Sequence, residues 1–96
     1  MSSDYEPSIT PEMRARYLLR RRADIEALQM ALAGADFASM KSIAHNIKGN
    51  ASTFDHTNLE KLAIELEQHA ENASLESATL IIELMKNWLA HETSNS

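Results

Sequence analysis

The chain has 96 residues, a net charge of −5, two glycines, two prolines and no cysteine. That length suits one domain with a modest hydrophobic core, and the missing thiols exclude disulfide scaffolds, thiolate nucleophiles and cysteine-ligated metal centres. No apolar stretch is long enough to span a bilayer and the start, MSSDYEPS, is too polar for a signal peptide, so a cytoplasmic protein without membrane association is expected.

Both prolines fall before residue 12, and the rest is rich in Ala, Leu, Glu, Met and Arg, the residues that lose least on entering a helix. No alternating run of strand length occurs, so the reading is all-α. Residues 1–9 read as a flexible N-terminal arm. Thr10-Pro11-Glu12 is a helix start, with a capping hydroxyl, a proline suited to the first helical position and an acid at the positive helix end. Tyr17, Leu18, Ile25, Leu28 and Leu32 then recur near helical spacing, interrupted around Arg20–Asp24. One long helix and a pair of helices parted near Leu19 both fit; the break, giving a short additional N-terminal helix, is the preferred reading.

Ala33-Gly34-Ala35 is a connection, and Asp36 is placed to cap the next helix. Over residues 36–54, Phe37, Met40, Ala44, Ile47, Ala51 and Phe54 step by three and four along one apolar face, while Lys41, His45, Lys48, Gly49 and Ser52 lie opposite. Thr57-Asn58-Leu59-Glu60 has the form of a capping box with Thr57 as cap, opening a helix that buries Leu59, Leu62, Ala63, Leu66 and Ala70. A turn over Asn72–Ser74 leads to a last helix with Leu75, Ala78, Ile82, Met85 and Leu89 inward, widened by Ile81 and Trp88. Short connections between substantial helices imply an antiparallel four-helix bundle, up-down-up-down, over residues 10–92, with 93–96 as a C-terminal tail.

A lone histidine on a helix is most often a solvated surface residue. His45 differs because Lys48 and Gly49 follow at three and four residues, on the same surface. Glycine inside a helix costs about 1 kcal/mol relative to alanine, a cost explained if a side chain there would obstruct something approaching His45. Imidazole, with an ordinary pKa of about 6.5, offers a neutral nucleophile near pH 7, and a neighbouring ammonium offsets the charge of an acquired phosphoryl group. No second group is placed as a base and no glycine loop could cradle a nucleotide. His56, His69 and His91 match no zinc spacing, so no metal site is expected. Met30, Met40 and Met85 read as core or boundary fillers.

The run AHNIKGNASTF, residues 44–54, resembles the signature of histidine-containing phosphotransfer (HPt) domains, and the likeness extends to LEKLAIELE after it and RYLLRRRADIEALQMALAGADF before it. The resemblance implies that His45 is the phosphoacceptor, reacting through Nε2. It also implies that Lys48 stabilises the phosphoryl charge and that Gly49 is the small residue beside the histidine. It further implies a carrier, not a complete enzyme, in a bacterial-type two-component phosphorelay, with response-regulator receiver domains and hybrid histidine kinases as partners. No cofactor of its own follows, Mg²⁺ being bound by the partner receiver. Many family members carry glycine where this chain has Asp55, a residue that tolerates the left-handed turn better than most, so either the turn is kept or the helix runs a residue or two longer.

Arg14, Arg16, Arg20, Arg21 and Arg22 crowd one segment, whereas beyond Asp55 acids outnumber the bases Lys61 and Lys86. An acidic body argues against nucleic-acid binding. Arg21 and Arg22, with Lys41, Gly49 and Ser52, are the expected receiver-docking residues, and a monomer is expected. The alternative, from a different class, is an interaction module that binds receivers or kinases without being phosphorylated.

Overall fold

A computed structural model describes residues 9–94, and within them there are four helices and no strand: α1 (Pro11–Ala33), α2 (Phe37–Thr53), α3 (Thr57–Glu71) and α4 (Leu75–Ser94). The expected N-terminal arm lies outside the described residues save for Ile9, and of the expected tail Thr93 and Ser94 belong to α4. Among the described residues no helix is long and apolar enough to cross a membrane.

Pro11–Ala33 is one continuous helix, which corrects the expected break and the short extra helix it implied. The interruption at Arg20–Asp24 is bridged by Arg21. Its side chain turns inward and is only 7% exposed, with its guanidinium 4.6 Å from the Tyr17 ring centroid and its Nε 2.9 Å from Asp24 Oδ2. An arginine stem covers apolar surface while its head stays paired, so a charged letter here occupies a core-facing position. Thr10 caps the helix as expected, its hydroxyl accepting from the Met13 N–H at 3.1 Å.

One turn is used three times. The N–H groups of Asp36, His56 and Ser74 donate to carbonyls five residues back, those of Ala31, Ala51 and His69, at 2.8, 2.8 and 2.9 Å. The residue before each donor is left-handed, with φ of 51° at Ala35, 62° at Asp55 and 53° at Ala73. This closes the last carbonyls of each helix in a Schellman arrangement. Glycine occupies none of the three positions, and Gly34 sits one residue early at φ −97°. The Asp55 turn is thus retained without glycine. Asp36 caps α2, accepting from the Ser39 N–H at 3.1 Å. The same turn makes His56, not Thr57, the residue before α3, so the capping box is not formed: Thr57 is the first helical residue and no side chain caps α3.

Each helix packs on two others: α1 on α2 and α4, α3 on α2 and α4, with no diagonal contact. Arg14 meets Glu92, Tyr17 meets Asn50 and Lys41 meets Glu71, so the early part of one helix lies beside the late part of its neighbour. The α2–α3 seam is the most extensive. Ala44 and Ala51 on one side and Ala63 and Ala70 on the other are all buried, letting the two backbones approach closely, while Met40, Ile47, Leu59 and Leu66 fill the interior. Met85 joins that core, but Met30 does not: it is 77% exposed.

Candidate functional site

His45 sits in the middle of α2 on the outward side, its side chain 64% exposed. The apolar stripe fixes this placement, because burying Ala44 and Ile47 turns the intervening residues out. Lys48 lies one turn on and is half-buried against α3. Gly49 is exposed, a Cβ built there would meet no atom within 4 Å, and its φ is not positive. Neither packing nor backbone conformation within the chain requires glycine at this position.

The α3 side supplies a residue that the sequence reading did not single out. Glu67 lies between His45 and Lys48, with Oε2 3.3 Å from His45 Nδ1 and Oε1 3.1 Å from Lys48 Nζ. The hydrogen bond from Lys48 holds the Glu67 carboxyl below its usual pKa, partial desolvation opposing it and the His45 contact adding to it. An ionised carboxylate only accepts hydrogen bonds, so this contact favours the His45 tautomer with its proton on Nδ1. In that tautomer of the neutral ring the lone pair is on Nε2. One turn earlier Lys41 is paired with Glu71, which raises the Lys41 pKa. Ser52 is exposed one turn beyond Lys48. Among the described residues no three His, Cys, Asp or Glu side chains gather as a metal site.

The α1 side of α2 is different. Asn50 accepts from the Tyr17 hydroxyl at 3.0 Å through Oδ1 and donates to the Asn46 carbonyl at 2.7 Å through Nδ2. Burial raises the Tyr17 pKa and keeps the phenol a donor. Tyr17 also stacks on Phe54 at 4.4 Å and on His56 at 5.1 Å, and His56 meets Trp88 edge-on at 5.3 Å. This aromatic end anchors the last turn of α2. His56 is half-buried here, and burial pushes its imidazole below the usual histidine pKa, with Glu92 and Asp55 pulling it up and Arg14 down.

Of the two arginines expected to dock a partner, Arg21 lies at the cleft beside Asn50 but is turned inward, and Arg22 lies away from α2. Arg21 is buried against Tyr17 and paired with Asp24, and Arg22 lines the α1–α4 groove, 4.0 Å from Glu26. Helical phase is the reason: Arg21 falls on the core-facing stripe of α1 and Arg22 on the α4 side, whereas Arg16 and Arg20 border α2 beside Asn50.

The chain matches the family model of the Hpt domain over residues 12–92, a span that takes in almost all of the four helices. It belongs to the Hpt domain family, whose members are carriers in histidine phosphotransfer and work with receiver domains and kinases of phosphorelays. No curated protein and no solved structure matches it.

Proposed function

We propose that this protein is an up-down-up-down helical phosphocarrier in which His45 takes a phosphoryl group from the aspartyl phosphate of one receiver domain and passes it to another. The observation that carries the reading is the Glu67 bridge, with one carboxylate oxygen 3.3 Å from His45 Nδ1 and the other 3.1 Å from Lys48 Nζ. The Nε2 lone pair forms the N–P bond as the P–O bond to the donor aspartate breaks and its carboxylate leaves. The ring then carries positive charge, since Nδ1 keeps its proton. Glu67 offsets that charge, and Lys48 lies within reach of the phosphoryl oxygens. A phosphorylated imidazolium is a good phosphoryl donor, because neutral imidazole leaves with the N–P electron pair as the next receiver's aspartate oxygen bonds to phosphorus, so the same geometry supports onward transfer. Mg²⁺ and the remaining catalytic groups belong to the partner receiver in this scheme, where the metal neutralises developing phosphoryl charge.

A module that merely docks has no use for a histidine whose tautomer is fixed, which sets the non-catalytic alternative behind. Incubation with a phosphorylated receiver should give acid-labile, base-stable label on the protein, and His45→Gln should abolish it. Label retained by His45→Gln would remove His45 from the role.

A further inference from the structure

The cleft between α1 and the end of α2 has a volume of about 290 Å³. Arg16 and Arg20, one helical turn apart and exposed, stand at its rim; Met13 and the half-buried Phe54 provide apolar walls, and the buried Tyr17 and Arg21 lie at its base. Among the described residues neither Arg16 nor Arg20 has an ion-pair partner, whereas Arg14, Arg21 and Arg22 are each paired with an acid of this chain. Like charges one turn apart destabilise a helix, so the fold itself gains nothing from this pair. The guanidinium fork is suited to carboxylate recognition, and apolar walls strengthen such a contact by excluding water.

The cleft is also continuous with the phosphoacceptor surface. Asn46 follows His45 directly, Asn50 follows Gly49, and the Asn50 amide joins the Asn46 carbonyl to the Tyr17 hydroxyl at the cleft's base. Crossing α2 from His45 to the cleft, a partner passes Gly49, where even a built Cβ would meet no atom within 4 Å. The larger α1–α4 groove, about 570 Å³, lacks this character, since its Arg22 already faces Glu26.

We infer that Arg16 and Arg20 form the selective half of the docking surface and receive a carboxylate side chain, flanked by an apolar one, from the receiver domain that approaches His45. The inference rests on the phosphocarrier reading and adds the chemistry by which a partner is chosen. Rim charges of this kind act mainly on association and on its salt dependence.

The test is receiver binding, which needs no phosphotransfer. In a His45→Gln background, receiver domains from the same genome are titrated calorimetrically against the protein with and without R16E/R20E. The double reversal should weaken the binding receiver about 10- to 100-fold at low salt, with the gap closing as salt rises. Lys61→Glu is the control: an exposed cation on α3, also without an ion-pair partner among the described residues, whose reversal should leave the affinity within about twofold. Thermal melts check that R16E/R20E folds. Equal affinity for R16E/R20E and Lys61→Glu overturns the inference while the phosphocarrier reading stands. Receiver binding that R16E/R20E weakens, alongside a protein that is never labelled at His45, overturns the carrier reading and keeps the docking surface. A protein that no receiver binds overturns both.

Discussion

The two flanks of α2 are built on opposite principles. Towards α3 the chain satisfies itself: Lys41 has Glu71, and His45 and Lys48 share Glu67. Towards α1 it stops short, for Arg16 and Arg20 lean over a cleft with no acid of their own among the described residues. On the proposed phosphocarrier reading the contrast separates two tasks. Orienting a nucleophile requires fixed partners within the fold, since a ring that rotates freely presents its lone pair only part of the time. Choosing a partner requires groups left unsatisfied until it arrives. His45 stands between the two flanks, on the exposed crest of the helix.

The most telling way to break this comparison is to remove the α3 partner. Glu67→Ala should slow phosphoryl transfer about five- to tenfold, because a partly solvated charge-assisted hydrogen bond contributes roughly 1–1.5 kcal/mol and 1.4 kcal/mol is tenfold in rate. The loss should appear at saturating receiver, in rapid-quench kinetics, with receiver affinity little changed. R16E/R20E should do the reverse. If both sets of variants act on the same kinetic step, the division between orienting and choosing fails.

Gly49→Ala sharpens the comparison because stability and transfer should move in opposite directions. The added methyl meets nothing in the protein and suits a helix better, so stability should rise by up to about 1 kcal/mol in a denaturant titration. The same methyl stands on the path between His45 and the Arg16–Arg20 cleft, and transfer should fall severalfold. A variant both more stable and equally active would show that no partner approaches there.

The smallest expected effect concerns the aromatic end that anchors α2. The folded-state pKa of His56 lies below its unfolded value because burial disfavours the charged ring. The unfolded chain therefore binds the proton more readily, and this contribution to stability is present above about pH 6.5 and lost as pH falls towards the folded value. Thermal melts should show a decline below pH 6.5 that His56→Gln reduces; an unchanged slope in that variant would separate His56 from the transition.

Much of this was readable from the sequence where a single helix decides the matter. The stepping of Met40, Ala44, Ile47 and Ala51 fixed the outward face of α2, and with it His45, Lys48 and Gly49. Thr10 and Asp36 announced their helices through local capping chemistry. What lay beyond reach depended on the register between helices. Glu67 is 22 residues from His45 and reaches it only once α3 is set antiparallel against α2. A signal did exist: Glu67 and Glu71 edge the apolar stripe of α3 much as Lys41 and Lys48 edge that of α2, and pairing those edges would have found the bridge. Arg21 misled for another reason. Charge was read as exposure, although a long stem over Tyr17 and an acid one turn on let an arginine face inward, and that kept α1 continuous. Thr57 reads as a cap on its Thr-x-x-Glu form alone, although the left-handed turn at Asp55 sets His56 before α3 and Thr57 within its first turn.

The central claim, that Glu67 fixes the proton of His45 on Nδ1 and leaves Nε2 to react, can be measured on the isolated protein. Long-range ¹H–¹⁵N NMR of the imidazole at a pH where the ring is neutral reports the tautomer directly. The account predicts that His45 is mainly the Nδ1–H form and that Glu67→Ala shifts it towards Nε2–H. A mainly Nε2–H ring in the unaltered protein would contradict it.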